Sequence, residues 1–405
     1  MIYLDYAATT PLDPQVLKKM SPYFSQEFAN PASIHSLGQT ALRAVEDARY
    51  MIADSLQIKA SEIIFCSGAT EANNLALRGL LTAAKEKGDT RNHIISCVIE
   101  HDSILEPLHY LEKEQYHVTY LPVNKEGVAS LSNLERAVSD KTILITIAFV
   151  NSEIGSVQPI AKIGRLIRKI NERRLKEWLN TPTRKRGPKP RLIYFHTDAT
   201  QAANYFFCNS KALTVDLMSF SGHKIFGPKG IGFLVCKKDV PMQALQFGGH
   251  QERNLRSGTL NVPSIIGLAM TFQKAQKNVK QNYITVSKLR DFFVKELRKS
   301  IPQLKQSIVL KEASPSHANF LFPRVTGDAL LSVLDEQGVA VSTGSACASG
   351  DLDTSHVINA LGYDKKTAAS ALRFTLSTLT TKAELVRAVS IIKRAYKLCL
   401  SRFEN

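Results

Sequence analysis

The chain has one tryptophan among its 405 residues, no long apolar run and no pair of cysteines at metal-ligand spacing. No window approaches the roughly 20 apolar residues that a membrane-spanning helix needs, so no membrane association is expected. The N-terminus carries no signal-peptide pattern, and we therefore expect a cytoplasmic location. The hydrophobic share of 44% is ordinary for a globular protein with a sizeable core.

Six cysteines are present, but none belongs to a C-x-x-C pair or lies beside a histidine cluster. This spacing indicates neither a disulfide framework nor a zinc site. Cys347 stands among small residues at 342–350, where it is either a small buried hydrophobe or a thiolate nucleophile on a loop. The other five lie in apolar stretches and are predicted to be core thiols: Cys66, Cys97, Cys208, Cys236 and Cys399.

The formal net charge of +16 favours anionic partners, such as phosphorylated cofactors, acidic proteins or nucleic acid. Much of the excess lies between Arg165 and Arg191, which includes a basic insertion at about 172–190 where cations are interspersed with prolines, following a helix that we expect to end near Leu179. This basic insertion is either a solvated loop or a contact for tRNA or an acidic partner.

Strand-like and helix-like patterns alternate through the first two thirds of the chain, which predicts an α/β fold. Its large domain, at 15–262, would hold a mostly parallel sheet between helices. A long helix from Pro263 to about Ser300, short strands and a final helix from Lys382 predict a smaller α+β domain at 263–405. Residues 1–14 would form an arm or part of the small domain, which carries the Cys347 loop at 342–355. The predicted strands of the large sheet lie at 61–66, 93–99, 118–123, 142–150, 191–196, 216–220 and 232–236.

Polar motifs fall where these strands are predicted to end, which is where open α/β sheets bind ligands. Residues 67–71 (Ser-Gly-Ala-Thr-Glu) join a strand to a helix, so Thr70 either binds a phosphate or caps the helix. Residues 221–224 (Ser-Gly-His-Lys) add two phosphate donors beside the amine of Lys224. These patterns favour an anion site next to a Schiff-base lysine.

Two further strand ends carry groups suited to a pyridine ring. Asp198 could pair with a pyridinium nitrogen and keep it protonated, and Gln201 could reach a ring oxygen. His101 could stack on a flat cofactor and move protons, or it could serve only as a turn residue or helix cap.

These motifs resemble those of the pyridoxal-phosphate-dependent cysteine desulfurases, class-V aminotransferase-like enzymes that supply sulfur for iron-sulfur clusters and tRNA thiolation. The resemblance implies a fold-type I transferase, pyridoxal 5'-phosphate as cofactor, and a homodimer with its sites at the interface. It also implies L-cysteine as substrate and a sulfur-acceptor partner, either an iron-sulfur scaffold or a tRNA-thiolating enzyme. The matching motifs cover nearly the whole chain and lie at 4–10, 30–35, 67–74, 100–101, 198–201, 219–232, 256–261, 342–349 and 373–374.

The resemblance also implies a role for each matching residue. Lys224 would hold the cofactor covalently and later move the substrate Cα proton, while Cys347 would take the sulfur as a persulfide. Asp198 would pair with the ring nitrogen, Gln201 with the phenolic oxygen, and His101 would stack on the ring and assist proton transfer. The remaining predicted contacts are Ala69, Thr70, Ser221, His223 and the partner subunit's Thr259 for the cofactor, and Arg373 and Asn30 for the substrate.

Three features depart from the family pattern. Ser152 stands where a second asparagine is usual, and His250 and Asn254 stand where glycines are common. The basic insertion is longer than the family needs. The first departure concerns a side-chain contact at the site, and the second concerns the interface loop.

Two alternatives remain open from the sequence. The first is a selenocysteine lyase or aminotransferase in which Cys347 is less essential. The second is an interaction protein that holds RNA or an acidic partner beside a vestigial site. The intact set of Lys224, Asp198 and His101 favours an enzyme.

Overall fold

A computed structural model describes residues 1–308, 313–344 and 354–403. The predicted nucleophile Cys347 therefore lies outside the described residues. The strands are β1 (Ile2–Tyr3), β2 (Ile63–Cys66), β3 (His93–Cys97), β4 (His117–Leu121), β5 (Thr142–Thr146), β6 (Tyr194–Asp198), β7 (Leu217–Ser221), β8 (Gly232–Cys236), β9 (Lys305–Gln306), β10 (His317–Leu321), β11 (Val339–Ala340) and β12 (Ala371–Thr375).

Helices cover the strands on both sides. A π-helical turn, Leu75–Gly79, joins α4 to α5, so the chain is helical from Ala69 to Glu86. The α-helices are α1 (Pro14–Met20), α2 (Pro22–Ser25), α3 (Ser36–Leu56), α4 (Ala69–Asn74), α5 (Leu80–Glu86), α6 (Asp102–Lys113), α7 (Leu131–Ala137), α8 (Ile160–Asn180), α9 (Ser210–Leu213), α10 (Val262–Lys277), α11 (Val279–Ser300), α12 (Gly327–Glu336), α13 (His356–Ala360), α14 (Lys365–Ala368) and α15 (Lys382–Phe403).

The large sheet has seven described strands in the order β2-β8-β7-β6-β5-β3-β4. Among these described strands, β8 is antiparallel to both of its neighbours, β2 and β7, and the other pairs are parallel. Alternate residues of β2 enter different cores, with Ile63 and Phe65 on one face and Ile64 and Cys66 on the other. Because both faces are covered, the strands read as continuous apolar runs. The predicted α/β fold with a mostly parallel sheet is confirmed.

The smaller part of the fold has its own sheet, β12-β10-β9, and its own core. The N-terminal strand β1 pairs in parallel with β11, and Ile2 and Leu4 pack into this second core. The helix predicted from Pro263 to Ser300 is two helices that meet at Asn278. The domain boundaries at 14 and 262 remain predictions.

The five cysteines predicted to be core thiols are all buried. Among the described residues, no helix combines the length and the apolar character required to cross a bilayer.

Candidate active site

Lys224 follows β7 through a short 3-10 turn, Gly222–Lys224, at the carboxyl edge of the large sheet. Its Nζ donates to the carbonyl oxygens of Ala7 and Ala8 at 2.6 and 2.7 Å. Gln201 Nε2 donates to the same Ala7 oxygen at 3.0 Å, so the fold brings these two predicted residues together. The sequence indicated no such role for the N-terminal segment, which here crosses the site.

Asp198 ends β6, the strand beside β7, and its carboxylate is held by two donors. The Thr200 backbone N–H donates to Oδ1 at 2.9 Å, and Asn73 Nδ2 donates to Oδ2 at 2.8 Å. The same Asn73 nitrogen donates to Ser103 Oγ at 2.8 Å, and that oxygen lies 2.9 Å from His101 Nδ1. A hydrogen-bonded chain therefore joins Asp198 to His101 through two residues that the sequence reasoning missed.

His101 is the N-cap of α6, so the helix-cap alternative is correct as a description of its position. The Ser103 backbone N–H donates to Nδ1 at 3.0 Å. This bond requires an unprotonated Nδ1, which places the proton of the neutral ring on Nε2. The cap thereby fixes both the tautomer and the ring position.

The segment before α4 approaches the sheet closely. Gly68, not Thr70, is the N-cap of α4, so the alternative assignment of Thr70 as the cap is wrong. A Cβ on Gly232 would lie 2.8 Å from the Gly68 Cα, which explains glycine at position 232. The first turn of this helix leaves backbone N–H groups without helical acceptors, beside Ala69 and Thr70. These groups and the macrodipole favour an anion.

His223 lies in the same turn as Lys224, and its Nδ1 is 3.2 Å from Thr9 Oγ1. Burial, together with the charges of Lys224 and Lys229, lowers the pKa of His223 to about 4. The imidazole is therefore neutral at pH 7 and can offer one N–H to an anion. Ser221, two residues earlier, is buried at the end of β7.

Arg373 is buried on β12, with its guanidinium held between two segments. Nη2 donates to Asp5 Oδ1 at 2.6 Å and Nη1 donates to the Ser152 carbonyl at 3.0 Å. Nε is buried with no hydrogen-bond partner in the described part of the chain. Its backbone N–H donates to the Ser342 carbonyl at 2.6 Å, so Arg373 adjoins the start of the segment that carries Cys347.

Two predicted residues lie elsewhere in the single chain. Asn30 is exposed and lines a cavity of about 640 Å³ together with Arg49 and Glu252, whereas Lys224 lines a different cavity. Thr259 is exposed and lies shortly after Arg256, whose Nε pairs with Glu71 Oε1 at 2.8 Å. The contacts within a single chain therefore place neither Asn30 nor Thr259 beside Lys224.

The sequence model of the aminotransferase class-V family matches residues 2–174 and 186–387. The chain belongs to this family. Within it, the cysteine desulfurase IscS of Dictyoglomus turgidum is 39% identical over 393 residues, which are 97% of this chain and 94% of that protein. The cysteine desulfurase IscS of Clostridium botulinum strain Hall is 38% identical over 398 residues, which are 98% of this chain and 94% of that protein.

Solved structures of the family agree. A structure titled NIFS-LIKE PROTEIN has a TM-score of 0.87 and 32% identity, covering 98% of this chain and 99% of that one. Another, titled SspA in complex with cysteine, has a TM-score of 0.76 and 32% identity, covering 94% and 100%. The resemblance to class-V cysteine desulfurases and the fold-type I architecture are confirmed.

Pyridoxal 5'-phosphate is the cofactor of the family, and the residues present fit it. The site offers an amine on Lys224, a carboxylate on Asp198 and an imidazole on His101, which lie at or after the carboxyl ends of β7, β6 and β3 of one sheet. The hydroxyl of Thr200 and the Nε of Arg373 are buried polar atoms without partners among the described residues, as in a pocket shaped for a polar guest.

Proposed function

We propose that the protein is a cysteine desulfurase that converts L-cysteine to L-alanine and leaves the sulfur on Cys347 as a persulfide. The observation that carries the proposal is the meeting of Lys224, Asp198 and His101 at one sheet edge, with Arg373 beside the start of the Cys347 segment. Ala69, Thr70, Ser221 and His223 would hold the cofactor phosphate.

Each side chain has a task that follows from its position. The Lys224 amine would bind the cofactor and, once released, carry the proton from the substrate Cα. The Asp198 carboxylate, fixed by Asn73, would face the ring nitrogen, and His101 would lie on the ring with its Nε2 proton available. Gln201, which shares the Ala7 carbonyl with Lys224, would contact the phenolic oxygen.

Substrate orientation is the task of Arg373. Its planar guanidinium suits a carboxylate, and Asp5 and Ser152 hold two of its nitrogens in place. Pyridoxal phosphate, when bound, supplies an electron sink for the charge left at Cα. The Cys347 thiolate then forms a sulfur–sulfur bond as the carbon–sulfur bond of the substrate breaks. The substrate Cβ keeps the electron pair of the broken bond and takes up a proton to become the methyl of alanine, while the two sulfurs reach the persulfide level.

The first test is an absorbance spectrum of the purified protein, followed by L-cysteine. We expect an absorbance band at about 400 nm. In the presence of a reductant, alanine and sulfide should form in equal amounts. Lys224→Ala should abolish the band and the turnover, while Cys347→Ala should keep the band and lose alanine formation. A colourless wild-type protein that takes up no pyridoxal phosphate contradicts the proposal.

The same Cys347→Ala variant separates the alternative activities. A selenocysteine lyase or aminotransferase of this fold would keep its turnover without that thiol. Retained alanine formation in the variant would therefore favour the alternative over the desulfurase.

We also propose a cytoplasmic homodimer that passes its sulfur to an iron-sulfur scaffold or a tRNA-thiolating enzyme. The exposed Thr259 supports the dimer, because a cofactor ligand on an exposed loop can serve a neighbouring subunit. Mixing Lys224→Ala with Thr259→Ala chains should then restore about a quarter of wild-type turnover through one intact site per mixed dimer. A monomer by light scattering rules out the shared site.

A further inference from the structure

Most of the net charge of this chain is concentrated in one stretch of the fold. Between Lys162 and Arg191 there are twelve lysine and arginine residues but only two acidic ones, Glu172 and Glu177. The stretch therefore carries ten of the sixteen net positive charges. Within it, the class-V family model leaves residues 175–185 unmatched, so this part of the stretch belongs to the chain rather than to the family.

The cations of α8 lie in a row. Arg165, Lys169, Arg173 and Lys176 are exposed and recur at helical spacing, on the face opposite the buried Ile163, Ile167 and Ile170. At about 1.5 Å of rise per residue the row is about 16 Å long. One strand of a duplex presents a phosphate every 3.4 Å or so, so about five phosphates would face the row.

The segment after α8 is fastened against the helix end. Trp178 Nε1 donates to the Gly187 carbonyl at 2.7 Å, and the guanidinium of Arg186 lies 4.8 Å from the centre of the Trp178 ring. Arg186 Nη2 also donates to the Leu179 carbonyl at 2.7 Å. These inward contacts leave Arg184, Lys185 and Lys189 exposed beside the helical row.

Few of these cations are neutralised within the chain. Among the described residues, Arg174 pairs with Asp140 at 3.6 Å and Arg191 with Asp89 at 3.4 Å, and no other cation of the stretch forms an ion pair. A solvated loop gains nothing from an ordered row of unpaired cations. A surface that binds a polyanion with regularly spaced charges does. Charge complementarity and regular spacing favour a phosphate backbone over an acidic peptide.

The end of the surface that follows α8 lies away from the catalytic edge. The segment leads into the first residue of β6, Tyr194, whereas Asp198 ends the same strand. The amino and carboxyl ends of this strand are about 13 Å apart. A ligand on this surface would leave the predicted cysteine site open.

We propose that this surface, the α8 row of Arg165, Lys169, Arg173 and Lys176 together with Arg184, Lys185 and Lys189, binds the phosphate backbone of a nucleic-acid duplex. The inference is independent of the proposed reaction. Binding is carried by backbone contacts alone, so it depends strongly on salt and little on base sequence.

The test titrates the full chain, loaded with pyridoxal phosphate, into a fluorescent 24-base-pair RNA duplex, and separately into the DNA duplex of the same sequence, at several salt concentrations. The test variant replaces the four α8 cations by glutamine. The control replaces Lys280, Lys288, Lys295 and Lys299 of α11, which are equally exposed, so both variants lose the same charge.

The α8 variant should lose about 100-fold or more in affinity, and its log–log salt slope should flatten by about 3. The α11 variant should stay within about threefold of the wild type, and alanine formation should be unchanged in both. Equally weak duplex binding by the two variants would mean that only the net charge matters, and it would overturn the proposal. Displacement of the duplex by equimolar polyglutamate would assign the surface to an acidic protein and overturn it as well. Thermal melting confirms that both variants are folded.

Discussion

Ser355 Oγ donates a hydrogen bond of 2.8 Å to Oε2 of Glu153, a carboxyl group whose other oxygen is buried without a partner in the described structure. Gly344 packs against the same carboxyl group, since a Cβ there would lie 2.7 Å from Oε1. Gly344 and Ser355 stand on either side of the predicted nucleophile in the sequence. Glu153 therefore joins the two described segments that flank Cys347 in the sequence.

The charge of Glu153 sets a first prediction. Burial raises its pKa from an ordinary 4.5 to about 7, against the opposing effects of Ser355 and Arg373. Because the folded pKa is the higher one, the contribution of this group to stability is greatest below about pH 4.5 and is lost as the pH rises through 7. The free energy of unfolding that this group contributes falls by on the order of 3 kcal/mol over this pH range.

Glu153→Gln keeps the hydrogen-bonding shape and cannot ionise. The variant should have the same melting temperature as the wild type at pH 5 and a higher one at pH 8. Thermal melting across this pH range measures the difference. Glu296→Gln on α11, a partly exposed site, is the control and should show no such trend. An identical pH dependence in wild type and Glu153→Gln contradicts the buried-charge explanation.

A second prediction concerns Gly344, whose φ is +84°. Gly344→Ala should lower alanine formation at least about tenfold, because the new methyl group displaces Glu153 as well as straining the backbone. Gly338→Ala is a matched control, since Gly338 has a φ of +80° but open space around its Cβ position. Uptake of pyridoxal phosphate should be normal in both. Equal losses of turnover would assign the effect to backbone strain alone.

A third prediction concerns Asn73, which is fully buried and bonds both Asp198 and Ser103. Asn73→Ala leaves a buried carboxylate short of one donor, a cost of about 1–3 kcal/mol that should appear as about 10- to 100-fold weaker binding of pyridoxal phosphate. Ser103→Ala removes the hydroxyl that joins Asn73 to His101 but leaves the Asn73–Asp198 bond, so it should preserve cofactor binding and slow turnover. Titration of the apoprotein by absorbance separates the two. Equal cofactor affinities for both variants would refute the bridging role of Asn73.

The sequence predicted strands well where apolar runs are bounded by turn residues, and β8 matches its prediction at both ends. It placed β6 three residues early, because Arg191 and Leu192 are exposed residues that precede the strand. It missed the break at Asn278, where neither glycine nor proline interrupts the helical pattern. The break separates Phe272, in the large core, from Phe293, in the small one, and only tertiary packing distinguishes them.

Site residues were predictable where residue type and strand position act together, as for Lys224 and Asp198. The contacts that fix them were not, because their partners are remote in sequence. Asn73 is 125 residues from Asp198, and Asp5 is 368 residues from Arg373. No local pattern reports such pairs.

The last prediction concerns a buried ion pair that the sequence did not indicate. Arg49 Nη2 lies 2.6 Å from Glu252 Oε1, and Oε2 accepts from Arg49 Nη1 at 2.9 Å and from the Phe65 backbone N–H at 2.8 Å. Glu252 adopts a left-handed φ of +46° in the segment that carries the unusual His250 and Asn254. The ion pair therefore holds a strained turn against the large sheet.

Glu252→Ala should lower the free energy of unfolding by about 3–5 kcal/mol, because the buried Arg49 charge then loses its two-bond partner and keeps only the more exposed Glu46. Lys237→Ala removes a more exposed pair with Asp216 and should cost less than about 1 kcal/mol. Denaturant unfolding of both variants measures the difference. Equal costs would mean that the turn is held by the packing of its neighbours, since the buried carboxylate would then contribute no more than a surface charge.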